Sequence, residues 1–289
     1  MGFFLQQLLN GLTLGGVYGL VALGLTLVFG VLEVPNFAHG SLYMAGAFIG
    51  YWLMAACGAN YWLAMLGAAA GVAALSMLSE RLVFHPLRNA PVLHDMIGAI
   101  GLMLFLEAGV QALFGADFLR MPTPYAQIVT VFGVTTQVQR LLIIVAGAVL
   151  VLLLHLFLTR TTTGQTIVAL AQNREGAALV GIDATRTKLL VFAISGVLAA
   201  IAAVLYAPIN LVYPSMGNLV ITKAFVIIIL GGMGSFPGAI TGGLIIGLAE
   251  SFGGFYVSDD YKDLIAFVLL VAILSVKPQG LFPARGRAA

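Results

Sequence analysis

Long apolar blocks alternate with short polar connections along almost the whole chain. Helices are predicted at residues 6–30, 38–57, 61–79, 96–114, 141–158 and 189–210, then at the pair 220–232 and 236–255, and finally at 264–276. Because a membrane crossing takes roughly 20 apolar residues, the block at 220–232 is too short for a comfortable crossing and is a candidate half-helix. The pattern predicts an all-α polytopic membrane protein with about eight transmembrane helices, including a short broken pair near the C-terminus.

The longest polar interruption between these blocks is TRTTTGQTIVALAQNREGAALVGIDATRTK, residues 159–188, which we call the central segment. Its pattern predicts two short helices separated by a turn. Thr162 and Gln165 have the spacing of a capping box at the start of the first helix. Gly181 suits a C-terminal cap after the second helix, and Asp183 can cap the next membrane helix. On pattern alone, a helix lying flat on the membrane surface is an equally good interpretation.

Composition changes the picture in one respect, because 61% hydrophobic and 8% charged residues exclude a soluble globular protein. The basic residues then predict the orientation, since cytoplasmic loops of membrane proteins carry an excess of Lys and Arg. If the N-terminus is outside, nine of the thirteen Lys and Arg residues fall on the inner side: Arg81, Arg88, Arg160, Arg174, Arg186, Lys188, Lys277, Arg285 and Arg287. We therefore expect an external N-terminus and a cytoplasmic C-terminus and central segment.

Two polar stretches interrupt the apolar pattern where a transport path would need an interruption. They are EVPNFAHG at residues 33–40 and GGMGSFPG at residues 231–238. Irregular backbone at membrane depth is tolerated only where protein buries it or where it lines an aqueous cavity. Each stretch precedes a Gly- and Ala-rich helix, a faint similarity of the kind that internal repeats of transporters produce. Both stretches are therefore candidates for a pathway.

The ionisable residues inside predicted helices are Glu107, Lys223, Glu250 and His155, and Glu33 and His39 lie at the first break. Ionisable residues are costly in a membrane and are functional candidates for that reason. We expect Lys223 to pair with Glu107 or Glu250, because pairing lowers the cost of burial. A second interpretation is a stand-alone secondary transporter or channel. In that protein Glu33, Glu107 and Glu250 would couple ions, and the central segment would only lie on the membrane.

Catalytic signatures are missing from the sequence, which has no HExxH, GxSxG or CxxC motif. No glycine precedes any of its four lysines, so it has no GxxxxGK[ST] phosphate loop. His85, His94 and Asp95 lie close together, but their spacing matches no familiar zinc pattern. We therefore predict no enzymatic activity, no cofactor and no metal site. If ATP drives the process, another chain must bind the nucleotide.

Four stretches carry a resemblance that extends over nearly the whole chain. They are NFAHGSLYMAGAF at 36–48, RTTTGQTIVALAQNREGAALVGID at 160–183, AFVIIILGGMGSFPGAITGGLIIG at 224–247 and KPQGLF at 277–282. With these motifs the chain resembles the LivH-type permeases of branched-chain amino acid ABC importers. The resemblance implies one transmembrane permease domain over residues 1–289, located in a bacterial inner membrane, with the central segment as its cytoplasmic coupling loop.

In permeases of this family a cytoplasmic helix-turn-helix docks in a groove of the ATPase subunit. The docking residues that the resemblance implies are Ala169, Gln172, Asn173, Arg174, Glu175, Gly176, Ala177 and Gly181. The residues it implies along or beside the path are Asn36, Phe37, His39, Gly40, Gly231, Gly232, Gly234 and Ser235. The implied partners are a second related permease subunit, two ATP-binding subunits and a periplasmic substrate-binding protein.

The function implied by the resemblance is ATP-driven inward transport of small amino acids by alternating access. Branched-chain amino acids (Leu, Ile and Val) are the default for the family. Other amino acids, urea and short amides stay open as alternatives, because a binding protein would select the ligand before it reaches the permease. One departure is Val168, since relatives commonly carry a basic residue there. The ionic contacts of docking are therefore not predicted.

Overall fold

The predicted membrane helices are all present in the computed structural model, which describes residues 2–32, 35–88, 90–131 and 133–282. The helices are α1 Gly2–Leu32, α2 His39–Ala55, α3 Tyr61–Ser79, α4 His85–Leu87, α5 Val92–Phe114, α6 Val138–Arg160, α7 Thr162–Gln172, α8 Arg174–Leu179, α9 Ala184–Tyr206, α10 Met216–Gly231, α11 Phe236–Tyr256 and α12 Lys262–Val276. A π-helical turn at Glu80–Phe84 joins α3 to α4, and 3-10 turns lie at Ala207–Ile209 and Asp259–Tyr261.

Six helical segments within the described ranges are long and apolar enough to cross a membrane. They are Gly2–Leu32, Tyr61–Leu87, Val92–Phe114, Val138–Arg160, Ala184–Ile209 and Phe236–Tyr256. The remaining predicted membrane helices α2, α10 and α12 have only 17, 16 and 15 residues. At about 1.5 Å per residue, α10 is roughly 24 Å long, less than the roughly 30 Å of a hydrocarbon core. The all-α membrane class is confirmed, whereas the number of eight crossings stays a prediction.

One element was not predicted, a short antiparallel hairpin of β1 (Ile128–Val131) and β2 (Val134–Gln137). Its register pairs Ile128 with Gln137 and Val129 with Thr136. The alternation of Val and Thr on both sides of Gly133, whose φ is 78°, is the signal that could have revealed it. The strands have four residues each, too few to stand out beside blocks of apolar helix.

Helix α1 forms the centre of the bundle and is buried almost continuously along its second half. It crosses α11 in the antiparallel direction, with glycines at the contact. A Cβ atom added to Gly247 would clash with the backbone of Gly11 and Gly15, and one added to Gly243 would lie 2.8 Å from the Cα of Gly19. Small residues allow membrane helices to approach this closely, so the contact explains part of the high glycine content.

The two ends of the bundle carry different elements, and we name them accordingly. The hairpin end holds β1–β2 and the start of α1. The loop end holds α7 and α8 and the end of α1, where Arg174 Nη2 donates to the carbonyl of Val31 at 2.8 Å. The turn between α10 and α11 also lies there, and the amide of Phe282 donates to the carbonyl of Gly231 at 2.9 Å. The first and last described residues therefore lie at opposite ends.

Gln139 connects three helices at the hairpin end and gives a testable prediction for stability. Its side chain is fully buried, and Nε2 donates to the hydroxyl of Tyr61 at 2.9 Å and to the carbonyl of Leu205 at 2.8 Å. Leucine at this position would leave both acceptors without that donor. We expect Gln139→Leu to lower the free energy of unfolding by about 1–3 kcal/mol, measured by thermal unfolding in detergent.

The matched control is Gln127→Leu, because Gln127 is exposed at the same end. We expect that variant to unfold at nearly the temperature of the unsubstituted chain. Equal unfolding temperatures for both variants would show that the buried amide does not connect the three helices energetically.

Candidate functional site

The start of the central segment is capped by a threonine. Thr161 Oγ1 accepts from the amide of Gly164 at 3.0 Å, so the N-cap of α7 is Thr161, one residue before the predicted cap, Thr162. Gln165 Nε2 donates to the carbonyl of Thr159 instead of completing a capping box. The predicted cap was therefore wrong by one position, because three consecutive threonines offer the same hydroxyl and only the backbone conformation selects among them.

The division of the central segment into two helices is confirmed. Asn173 ends α7 and caps α8, its Oδ1 accepting from the amide of Gly176 at 2.8 Å. Gly181 terminates α8 with a φ of 82°, in the left-handed region that favours glycine. Asp183 Oδ1 accepts from the amides of Thr185 and Arg186 and so caps α9. These caps give the segment a defined shape between the two membrane helices that flank it.

The residues that the sequence assigned to docking differ in exposure. Gln172, Asn173, Arg174, Glu175 and Gly181 are exposed, Ala169 and Gly176 are half-buried, and Ala177 is buried. The most exposed apolar pair of the segment was not among them, since Leu179 is 89% exposed and Val180 is 77% exposed. Both precede the capping glycine and lie away from the buried side of the helices, which is the signal that could have identified them. We call Leu179 and Val180 the apolar tip.

The central segment is attached to α1, the most buried helix. Besides the hydrogen bond from Arg174 to the Val31 carbonyl, Ala171 packs close to Gly30 near the end of α1. Ile167 and Leu170 are buried in the same hydrophobic core as α1. A displacement of α7 and α8 would therefore be transmitted directly to α1.

A cavity of about 560 Å³ lies between α1, α10, α11 and α12 and reaches the hairpin end. Its polar lining includes Tyr18, Tyr43, Tyr206, Lys223, Glu250 and Asp263. A second cavity of about 390 Å³ shares Arg140, Ile209 and Asn210 with it, so the two cavities adjoin at the hairpin end. The larger cavity has the size of a small-molecule site, which is typically about 300–1,000 Å³.

An ion cluster on three helices forms part of the polar lining of this cavity. Lys223 Nζ lies 2.7 Å from Glu250 Oε2 and 2.8 Å from Asp263 Oδ1. It also donates to the hydroxyl of Tyr18 at 3.0 Å, and that hydroxyl donates to Glu250 Oε2 at 3.0 Å. Of the two partners expected for Lys223, Glu250 is therefore in contact. Glu107 is half-buried and accepts from Asn218 Nδ2 at 3.3 Å.

The described part of the first predicted break, residues 35–40, does not line the cavity and packs inside the protein. Asn36 is buried and its Oδ1 accepts from the amide of Ala38 at 3.1 Å. The ring of Phe37 lies 4.9 Å from that of Phe225 on α10. Glu33, the acid of this break, lies outside the described residues.

His39 and Gly40 join the start of α2 to three other helices. His39 is fully buried, with Nε2 3.1 Å from the Val21 carbonyl and Nδ1 3.2 Å from the Ser195 hydroxyl. A neutral imidazole that donates from Nε2 and accepts at Nδ1 satisfies both contacts. Gly40 packs backbone to backbone against Gly217 of α10. A side chain at either glycine would separate the two helices.

The second predicted break forms the turn between α10 and α11. Gly231 packs against the backbone of Gly238, while Gly232 and Gly234 have φ angles of 103° and 82°. Ser235 is buried and its Oγ accepts from the amide of Gly238 at 3.2 Å, which caps α11. The break therefore lets the chain reverse its direction at the loop end, on the side of the cavity away from the hairpin end.

Comparison with known proteins identifies the family of this chain, which has a helical projection, short broken helices and a polar cavity. Residues 7–274 match the family described as the permease component of branched-chain amino acid transport systems. The chain belongs to that family. It is 35% identical to the permease LivH of Escherichia coli K12 and 38% identical to the permease BraD of Pseudomonas aeruginosa. Each comparison covers 96% of this chain and 95% of the relative.

The fold of this permease also resembles that of solved transporter chains. A chain of PsaBC from Streptococcus pneumoniae, solved in complex with a Fab, superimposes with a TM-score of 0.53 at 14% identity. The superposition covers 96% of this permease and 92% of that chain. At this identity the likeness concerns the fold alone. As an ABC transporter permease, the chain works together with other components of its transporter.

Two residues of the ion cluster, Asp263 and Tyr18, could not be recognised from the sequence. Asp263 lies in a polar connection and gave no reason to expect contact with Lys223, and Tyr18 lies in a continuous apolar block. Only the packing of α12 and α1 against α10 brings them to the ion cluster. The cavity itself could not be located from the sequence, since it is bounded by helices far apart in the chain.

Proposed function

We propose that this permease moves small amino acids, foremost leucine, isoleucine and valine, inward across a bacterial inner membrane. ATP hydrolysis in separate subunits drives the movement by alternating access. The observation that carries the proposal is the exposed pair of short helices, α7 and α8, anchored to α1 through Arg174. A projection that is both exposed and attached to the most buried helix is suited to receive a force and to transmit it.

The proposed orientation places the loop end in the cytoplasm and the N-terminus in the periplasm. Within the described ranges, seven basic residues lie at the loop end: Arg81, Arg88, Arg160, Arg174, Arg186, Lys188 and Lys277. Arg120, Arg140 and Lys262 lie at the hairpin end, and Lys223 is buried. This distribution follows the positive-inside tendency. Arg285 and Arg287, which also entered the sequence argument, lie outside the described residues.

The proposed partners follow from the orientation. Two ATP-binding subunits would contact the central segments of this permease and of a second, related permease subunit. A periplasmic substrate-binding protein would deliver the amino acid at the hairpin end, where the cavity opens. The outer faces of α5, α6 and α12 expose large apolar side chains such as Phe105, Leu153 and Val271. Lipid and the second permease would cover these faces.

Alternating access gives the two predicted breaks a role. In this conformation the cavity reaches the hairpin end, whereas Asn36–Gly40 and Gly231–Ser235 are packed below it. Each break adjoins one short helix, α2 or α10, that packs through glycine contacts, so these helices can shift without moving bulky side chains. We propose that these stretches flank the path and separate when the inward-open state forms.

The chemistry of the cavity favours an amino acid over the alternatives. It combines an ion cluster with an apolar wall that includes Leu14, Val17, Leu219 and Val220. Urea and short amides carry no charge and would leave the ion cluster unused. An ion-coupled secondary transporter would need no exposed projection such as α7 and α8.

Arg174→Ala tests the proposed coupling. Losing its charged hydrogen bond to the Val31 carbonyl costs about 1.5 kcal/mol, which corresponds to roughly a tenfold change. We expect the amount of leucine transported per ATP hydrolysed to fall by that factor, while hydrolysis continues. The measurement compares leucine uptake and ATPase activity of the complete transporter in proteoliposomes.

The matched control is Arg186→Ala, because among the described residues Arg186 forms its ion pair with Asp183 of its own helix start, at 3.2 Å, and is highly exposed. We expect its ratio of transport to hydrolysis to equal that of the unsubstituted transporter. An unchanged ratio in Arg174→Ala would mean that the contact with α1 does not couple the projection to the membrane helices.

A further inference from the structure

The ion cluster of the cavity has an unequal number of charges. One ammonium, Lys223, faces two carboxylates, Glu250 and Asp263, which come from different helices. Lys223 and Glu250 are 5% and 3% exposed, whereas the Asp263 side chain is 46% exposed. Within these three side chains the carboxylates outnumber the ammonium, while Arg140 and Lys262 add positive charge elsewhere in the cavity lining.

Glu250 is only partly satisfied within this cluster. Its Oε2 accepts from both Lys223 and Tyr18, whereas Oε1 is buried and has no hydrogen-bonding partner among the described residues. A carboxylate oxygen without a donor is costly in a protein interior. Glu250 lines the cavity, so a rotation of its side chain would present Oε1 as an acceptor to a cationic group that enters it.

The contribution of this cluster to the stability of the fold does not explain why the protein buries it between its membrane helices. The desolvation of buried ions often exceeds their mutual attraction, so well-packed apolar residues would hold α10 and α11 together at least as well. Ionisable groups inside a membrane protein most often mark a substrate or ion pathway. The position of the cluster at the bottom of an open cavity agrees with such a role.

The neighbouring walls match the rest of an aliphatic amino acid. Val17, Leu219, Val220 and Phe255 line the same cavity and offer an apolar surface beside the ions. Arg140 lies where the two cavities meet, so a carboxylate would encounter a positive charge before it reaches Lys223. A zwitterion with an apolar side chain would use the acidic, basic and apolar parts of the lining together.

We propose that Glu250 and Asp263 bind the α-ammonium group of the transported amino acid and that Lys223 binds its α-carboxylate. The solute would replace the contacts that these side chains now make with one another. The ligand class is thus a free amino acid with both charges and a small aliphatic side chain. This inference rests on the proposed transport function and deepens it.

The test uses the complete transporter, without binding protein, in nanodiscs. Its unfolding temperature is measured with millimolar leucine, with leucinamide, which lacks the carboxylate, and with 4-methylpentanoate, which lacks the ammonium. We expect leucine to raise the unfolding temperature and both analogues to leave it unchanged. Glu250→Gln and Lys223→Met are expected to abolish the rise with leucine, whereas Glu107→Gln, which removes a membrane carboxylate outside the cavity, keeps it.

Uptake of leucine in proteoliposomes gives the second measurement. We expect Lys223→Met to lower uptake at least tenfold, and Lys223→Arg to restore a substantial part of it. The double variant Lys223→Met and Glu250→Met removes the two buried charges and leaves only Asp263, whose side chain is 46% exposed and can be solvated. We expect the double variant to retain ATPase stimulation by the liganded binding protein and to lack uptake.

The results distinguish three cases. Normal uptake by the double variant would overturn the inference and leave the cluster a structural ion pair. Equal thermal shifts with leucine and leucinamide would also overturn it, since the carboxylate would then make no contact. Absence of ATP-dependent uptake by the unsubstituted transporter would instead contradict the proposed function.

Discussion

Aspartate at both Leu179 and Val180 is expected to abolish ATP-driven uptake by separating the permease from its ATPase. The apolar tip is the most exposed apolar pair of the central segment and lies where the projection ends. Apolar groups at the centre of an interface commonly contribute about 2 kcal/mol or more each, and a buried, unpaired aspartate adds a further penalty. If the two contributions add, binding of the ATPase should therefore weaken by roughly 700-fold or more.

The measurement is co-purification of the ATPase with the tagged permease, followed by uptake in proteoliposomes. The control is Thr163→Asp, which places the same charge on the exposed first turn of α7 and leaves the tip intact. An acidic residue there suits the helix N-terminus, so the control should keep its fold and its partner. Unchanged recovery of ATPase with the doubly substituted tip would show that docking uses another surface.

Leucine at Gly247 is expected to prevent assembly of the permease. A Cβ at this position would clash with the backbone of Gly11 and Gly15, and backbone atoms cannot move aside as the end of a flexible side chain can. Helix α11 would have to separate from α1, the helix on which the bundle is built. Overpacking of this kind costs roughly 3 kcal/mol or more, a large fraction of the stability of a domain.

The amount of folded permease recovered from membranes, assessed by size-exclusion chromatography in detergent, checks this expectation. The matched control is Gly109→Leu on α5, because no atom lies within 4 Å of a Cβ added there. It should yield as much folded protein as the unsubstituted chain. Similar recovery of both variants would contradict the close approach of α1 and α11.

Much of the helical arrangement could be predicted because its signals are local. The lengths of the apolar blocks predicted the membrane helices. The caps at Gly181 and Asp183 were predicted because each residue type suits one position at a helix end. Lys223 and Glu250 were identified as a possible pair because charge is rare in such helices. Where the sequence offered equivalent choices, as in the three threonines at the start of α7, the prediction missed by one residue.

The remaining features depend on contacts between distant parts of the chain. Arg174 was predicted to face the ATPase, yet its guanidinium also reaches back to α1, which no pattern in the central segment indicates. Asp263 joins Lys223 only because α12 packs beside α10. The two breaks were assigned to the path because they interrupt the apolar pattern. Their glycines also allow close backbone contacts between helices, as Gly40 and Gly231 show.

The most direct measurement is purification of the tagged permease from its native membrane in mild detergent, with identification of its partners and an ATPase assay. The prediction is recovery of a second permease and an ATP-binding subunit, with hydrolysis stimulated by a binding protein loaded with a branched-chain amino acid. A chain that is recovered alone and moves solute in liposomes without ATP would contradict the coupling of α7 and α8 to an ATPase.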